Sequence, residues 1–141
     1  MKRKASAIWN GGLKDGNGTI STESGALSQK QYSFSTRFEN GTGTNPEELI
    51  GAAHAGCFSM AFSAELEKAG MKPVSVATTA NVNFEKTDAG FTITAIHLET
   101  TAKVPGASQE AFNTAATNAK NGCPISRALK AEITLDAKLE A

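Results

Sequence analysis

Cysteine and histidine are scarce in this chain, with two of each in 141 residues. Cys57 and Cys123 stand 66 positions apart, which excludes both a disulfide-dense scaffold and a Cys-x-x-Cys motif. In a reducing compartment such thiols are ordinarily inert core residues, so any chemical role must come from their surroundings. Charge of neither sign prevails: fourteen Lys and Arg face fourteen Asp and Glu. That balance leaves no electrostatic footprint for nucleic acid or a membrane surface. No apolar run is expected to reach the length of a membrane span, because the longest one is interrupted by His54, Ser59, Ser63 and Glu65. The opening MKRKASAIW is basic but has no apolar segment behind it, so no secretory signal is expected and the cytoplasm is the expected location.

What is present reads as one α+β domain over residues 1–141, with 40% hydrophobic and 20% charged residues. ASAIW and GTISTES read as strands, with Asp15-Gly16 and Asn17-Gly18 supplying turn chemistry between them. QYSFSTRF alternates, with Tyr32, Phe34, Thr36 and Phe38 on one face and Arg37 on the polar one, which predicts a third strand. Asn45 is a good N-cap, Pro46 suits a first helical position, and Glu48 completes a capping box for a long helix that Gly70 ends. SVATTANVNFEK and FTITAIHLETTAK read as a hairpin joined by TDAG. Ser108 caps a further helix, Cys123-Pro124 opens a short one, and EITLDAKLE closes as a strand. The predicted order is β-β-β-α-β-β-α-α-β. One six-stranded sheet could not cover both sides of a long helix that is apolar nearly all round.

That helix carries Cys57 far from its N-terminus, a poor place to activate a thiol through the helix dipole. Glu47, Ile50, His54, Cys57 and Ala61 fall on one stripe, with Glu48, Ala52, Ala55, Ser59 and Phe62 opposite. Such a helix belongs either in the core of a single chain or at the centre of a homodimer. Glu47 and Cys57 are separated by ~15 Å of helical rise, more than a glutamate side chain spans. A shared site would have to join Glu47 of one chain to Cys57 of another; otherwise the two are unrelated.

The segments YSFSTRFENGTGTNPEELIGAAHAGCFSMA and CPISRALKAEITLD, together with the chain length, resemble the osmotically inducible protein C / organic hydroperoxide resistance family, on its OsmC side. The resemblance runs along essentially the whole chain. It implies an intertwined homodimer with central helices wrapped by sheets and active sites at the interface, and a thiol-dependent peroxidase acting on organic hydroperoxides in stress defence. It further implies a small or lipoyl-type dithiol as reductant and no cofactor. Matched onto this sequence, the resemblance makes Cys57 the peroxidatic thiol, Cys123 the resolving thiol, and Arg37 with Glu47 the activating pair.

Elementary chemistry is compatible with these roles. Peroxide reduction needs a thiolate, and burial in an apolar helix raises a thiol's pKa. Arg37, charged in any surroundings, could reverse that and bond the departing oxygen, with Glu47 orienting the guanidinium. One local cue points the other way. Cys123, just before Pro124 at a helix start, stands where the dipole favours a thiolate, so position alone would nominate it as the first attacker. Phe58, Met60, Phe62 and Ile50 near the thiol suggest bulky substrates, or simply a core. Two other readings compete. Cys57, Cys123, His54 and His97 make a Cys2His2 set by count, although the spacing suits no zinc finger; His54 is otherwise expected to bond a backbone carbonyl. Alternatively, the cysteines could serve a non-catalytic redox switch.

Overall fold

A computed structural model describes all of residues 1–141. It divides into two compact units, Met1–Leu49 and Ile50–Ala141. In the first, strands β1 (Ala5–Asn10), β2 (Asn17–Thr22) and β3 (Lys30–Tyr32) form an antiparallel sheet in that order. Register sets Trp9 and Tyr32 on either side of Gly18. A β-carbon at Gly18 would fall 2.6 Å from the Tyr32 ring and 2.8 Å from that of Trp9. The missing side chain therefore lets the two rings meet across the central strand, with centroids 5.3 Å apart.

The expected third strand over QYSFSTRF is corrected here. It ends at Tyr32, and a short helix α1 (Phe34–Phe38) follows. Ser33 is the reason. Its hydroxyl accepts from the Thr36 N–H, while the Thr36 hydroxyl oxygen accepts from the Ser33 N–H, a reciprocal cap that starts a helix where the alternation suggested extension. Phe34 and Phe38, four residues apart, then pack with tilted rings, centroids 4.8 Å apart. Arg37 lies in the last turn of this helix, not on a strand.

Helix α2 (Pro46–Lys68) begins in the first unit and runs through the second. Asn45 caps it as expected, its Oδ1 accepting from the Glu48 N–H at 2.8 Å. The expected capping box is replaced by a variant: the Glu48 carboxylate accepts from the Thr44 hydroxyl at 2.7 Å. At the far end Met71 N–H donates to Leu66 O and Gly70 N–H to Glu67 O, both at 2.9 Å. With Gly70 at φ +80°, this is a Schellman ending.

The second unit's sheet is β4 (Ser75–Thr87), β5 (Gly90–Lys103) and β6 (Glu132–Glu140), in that order. Strands β4 and β5 form the expected hairpin, while β6 joins β5 in parallel after a crossover through α3 (Gln109–Gly122) and α4 (Pro124–Ala128). Phe58, Phe62 and Leu66 of α2, spaced four residues apart, are fully buried with Ile96, Leu98, Val104 and Phe112. Burying each such side chain contributes about 1.5–3 kcal/mol. Phe58 and Phe62 thus belong to the core. Gly51 brings α2 close to Val82, and Ser59 donates a 2.8 Å hydrogen bond to Thr78.

Contrary to the expectation from its interrupting polar residues, α2 is long and apolar enough, by length and composition, to cross a membrane. His54 and Ser59 lie within this helix, and each finds a hydrogen-bond partner inside the second unit. The opposite face of α2 is bare: Ala52, Gly56, Met60 and Ala64, again four apart, are exposed.

Candidate active site

Two clusters hold the four candidate residues. In the first unit, Arg37 Nε and one terminal nitrogen both donate to Glu47 Oε1, at 3.0 and 2.8 Å. Helix α1 presents the guanidinium and the first turn of α2 the carboxylate. Glu47 is buried, and its Oε2 has no hydrogen-bond partner. The guanidinium also lies 5.5 Å from the Phe38 ring centroid. Beside it opens a cavity of about 250 Å³ lined by Trp9, Leu13, Tyr32, Phe34, Phe38 and Arg37. Sequence reading missed this aromatic wall. Its only local trace is the glycine on β2, since cross-strand register is what gathers the rings.

In the second unit the two thiols meet. The Cys123 thiol donates to the Cys57 sulfur at 2.9 Å, and both are free. Cys123 closes α3 and opens α4, its N–H donating to Ala119 O and its O accepting from the Arg127 N–H. The two differ in access: Cys123 is fully buried and Cys57 only partly. Burial pushes the Cys57 thiol above its ordinary range, and the neighbouring Cys123 adds to that; the Ile125 backbone N–H pulls the other way. No cation among these causes favours the thiolate.

His54, one turn before Cys57, is fully buried. Its Nε2 lies 2.7 Å from Ser126 Oγ, so the expected backbone carbonyl is not its partner, and Nδ1 has none. His97 lies on β5, bonded to Thr134 at 2.6 Å and Asp136 at 3.1 Å. Nowhere do three His, Cys, Asp or Glu side chains gather as a metal would require, so the Cys2His2 count has no geometry behind it.

Burial lowers the pKa of His54 below its ordinary 6.5. Unfolding at mildly acid pH therefore takes up a proton that the folded chain excludes. The stability His54 confers is complete above about pH 6.5 and is lost as pH falls below that value. Urea midpoints should drop between pH 7.5 and 5 in the wild type and drop less in His54→Gln. Equal drops would remove His54 as the source.

Residues 39–138 match the family model described as OsmC-like protein. The chain belongs to the OsmC-like family. Within that family it is 55% identical to Peroxiredoxin OsmC of Escherichia coli (strain K12), over all of this chain and 99% of that one. It is 32% identical, over 70% of its length and 68% of the other's, to the organic hydroperoxide resistance protein of Xanthomonas axonopodis pv. citri (strain 306). The OsmC-like protein of Mycoplasma pneumoniae has the same fold, with a TM-score of 0.78 at 15% identity over 100% and 99% of the two chains. The α+β fold of this chain is thus an OsmC/Ohr fold.

Proposed function

We propose that this chain is a cysteine-based peroxidase that reduces organic hydroperoxides, working in the cytoplasm as a homodimer in which Arg37 and Glu47 of one protomer serve Cys57 of the other. The observation that carries the chemistry is the thiol pair itself: 2.9 Å apart, one member reachable and the other sealed. A peroxide meets Cys57 first. The Cys57 thiolate attacks one peroxide oxygen, an S–O bond forms, the O–O bond breaks, and the departing alkoxide takes up a proton to become an alcohol. Cys123 then attacks the sulfur of the Cys57 sulfenic acid and expels water, leaving a disulfide. A small or lipoyl-type dithiol returns both cysteines to thiols.

Three features support the dimer. Cys57 has no cation to lower its pKa within its own unit. The exposed row Ala52, Gly56, Met60 and Ala64, with Met60 78% exposed, is smooth enough for a second helix to lie against. Ten residues of continuous helix separate Glu47 from Cys57, so two helices running in opposite directions bring the carboxylate of one to the thiol of the other. Each protomer acts as one domain, and the apolar cavity beside Arg37 takes the organic group of the substrate.

A peroxidase assay with a dithiol reductant tests this. Cumene hydroperoxide should turn over with a kcat/KM at least about tenfold above that of hydrogen peroxide, the discrimination one apolar pocket supplies. A single stoichiometric oxidation without turnover would instead indicate a redox switch. Light scattering should give the mass of two chains, and a folded monomer at micromolar concentration would remove the shared site.

A further inference from the structure

His54 and Ser126 are buried or half-buried polar partners with no part in the chemistry above. Their placement is regular. His54 precedes Cys57 by three residues on α2, and Ser126 follows Cys123 by three residues on α4. The two helices are therefore joined by two rungs about one turn apart, Cys57–Cys123 at 2.9 Å and His54–Ser126 at 2.7 Å. Beyond these rungs, helix α4 is held by its buried N-cap Cys123 and by half-buried Ile125, with Leu129 just past its end, packed against the core. It has five residues, none fully buried, and Ser126 makes its one side-chain hydrogen bond.

We infer that the His54–Ser126 hydrogen bond is a positioning pair that keeps α4 docked while the cysteine rung is broken, so that Cys123 resolves the Cys57 sulfenic acid before a second peroxide does. The inference rests on the peroxidase reading, and its reasoning is one of timing. When Cys57 gains an oxygen, the thiol–thiol hydrogen bond is lost, and the sulfur must next be met by Cys123. Disulfide formation joins the two sulfurs and releases water; a second peroxide instead adds another oxygen to give the sulfinic acid, which no dithiol reverses. Burial keeps the imidazole neutral, and an unpartnered acceptor is tolerated inside a protein better than an unpartnered N–H. The proton therefore sits on Nε2 and is donated to Ser126 Oγ, with the bare Nδ1 as acceptor.

The test compares Ser126→Ala and His54→Leu with the conservative Ser126→Thr and His54→Gln, which keep an acceptor and a donor. Reduced protein is mixed with excess cumene hydroperoxide, with and without a sulfenic-acid trap such as dimedone, and products are counted by mass spectrometry. Consumption of the Cys57 thiol by the first peroxide should proceed within about twofold of the wild-type rate in all variants. In Ser126→Ala and His54→Leu the trapped and over-oxidised Cys57 should rise about tenfold, the size of one buried hydrogen bond, and the conservative variants should restore closure. Wild-type closure in Ser126→Ala, an equal slowing of attack and closure, or failure of both conservative variants to rescue would each overturn the inference. A second arm needs no peroxide: the Cys57–Cys123 disulfide is equilibrated against reduced and oxidised dithiothreitol. Ser126→Ala should shift the balance about tenfold toward the dithiol, about 30 mV. No shift would overturn the pair's role, whereas a shift in a wild-type background that never reduces peroxide would overturn only the peroxidase reading.

Discussion

Cys57→Ser is expected to abolish turnover, lowering kcat/KM for cumene hydroperoxide by at least about a thousandfold, as loss of a nucleophile does elsewhere. A serine hydroxyl does not ionise near neutral pH and cannot form a sulfenic acid, so no slower version of the same route survives. Cys123→Ser should behave differently. Cys57 still attacks once, so one equivalent of peroxide is consumed per site and a sulfenic acid accumulates that dimedone captures. The contrast separates the two roles cleanly. Access favours Cys57 as attacker, because Cys123 is wholly covered and Cys57 is not. Activity retained by Cys57→Ser and lost in Cys123→Ser would exchange the roles, as the position of Cys123 at a helix start suggests.

Arg37→Ala should cost about 2–4 kcal/mol in the barrier, or roughly 30- to 1,000-fold in rate, without unfolding the protein. Two effects combine. If Arg37 serves Cys57 as proposed, the thiol then stays protonated and the departing oxygen loses a donor. Glu47→Ala should fall in the same range, because both guanidinium nitrogens that face Glu47 lean on a single carboxylate oxygen. Glu48→Ala should be mild, since its carboxylate only accepts from Thr44 at the cap. The decisive form of the experiment mixes Glu47→Ala with Cys57→Ser and lets chains exchange. If Glu47 acts across the interface, each heterodimer regains one complete site and up to about half the wild-type activity. No recovery despite demonstrated exchange would place Glu47 at its own chain's thiol and dissolve the shared site.

Much of this was legible because it was local. The Asn45-Pro46 start and Gly70 end of α2, the TDAG turn, the Ser108 cap and the Cys123-Pro124 junction all rest on residues within a turn of one another. QYSFSTRF misled because Phe34 and Phe38 satisfy a period of two and of four alike, and the reciprocal Ser33–Thr36 bonds decide between them. Glu48 misled less: the cap exists, with Thr44 as its partner. Ser126 left no trace at all, since its partner lies 72 positions away. The wall of Trp9, Tyr32 and Phe34 was equally silent, because it depends on strand register rather than on spacing. The two cysteines were legible through resemblance alone, their separation of 66 residues giving no local clue that they touch.

The parallel pairing of β6 with β5 has a consequence for the order in which the chain matures. Hairpin β4–β5 closes through a four-residue turn and needs little search, whereas β6 reaches β5 only after the α3–α4 crossover is laid down. Loop closure of that kind is slow, and β6 follows both crossover helices along the chain. The junction bearing Cys123 lies inside the crossover, so it is fastened at both ends only when β6 has docked. A newborn chain thus carries Cys57 for some time before Cys123 is fixed beside it, so the thiol pair is among the last features of the fold to be completed.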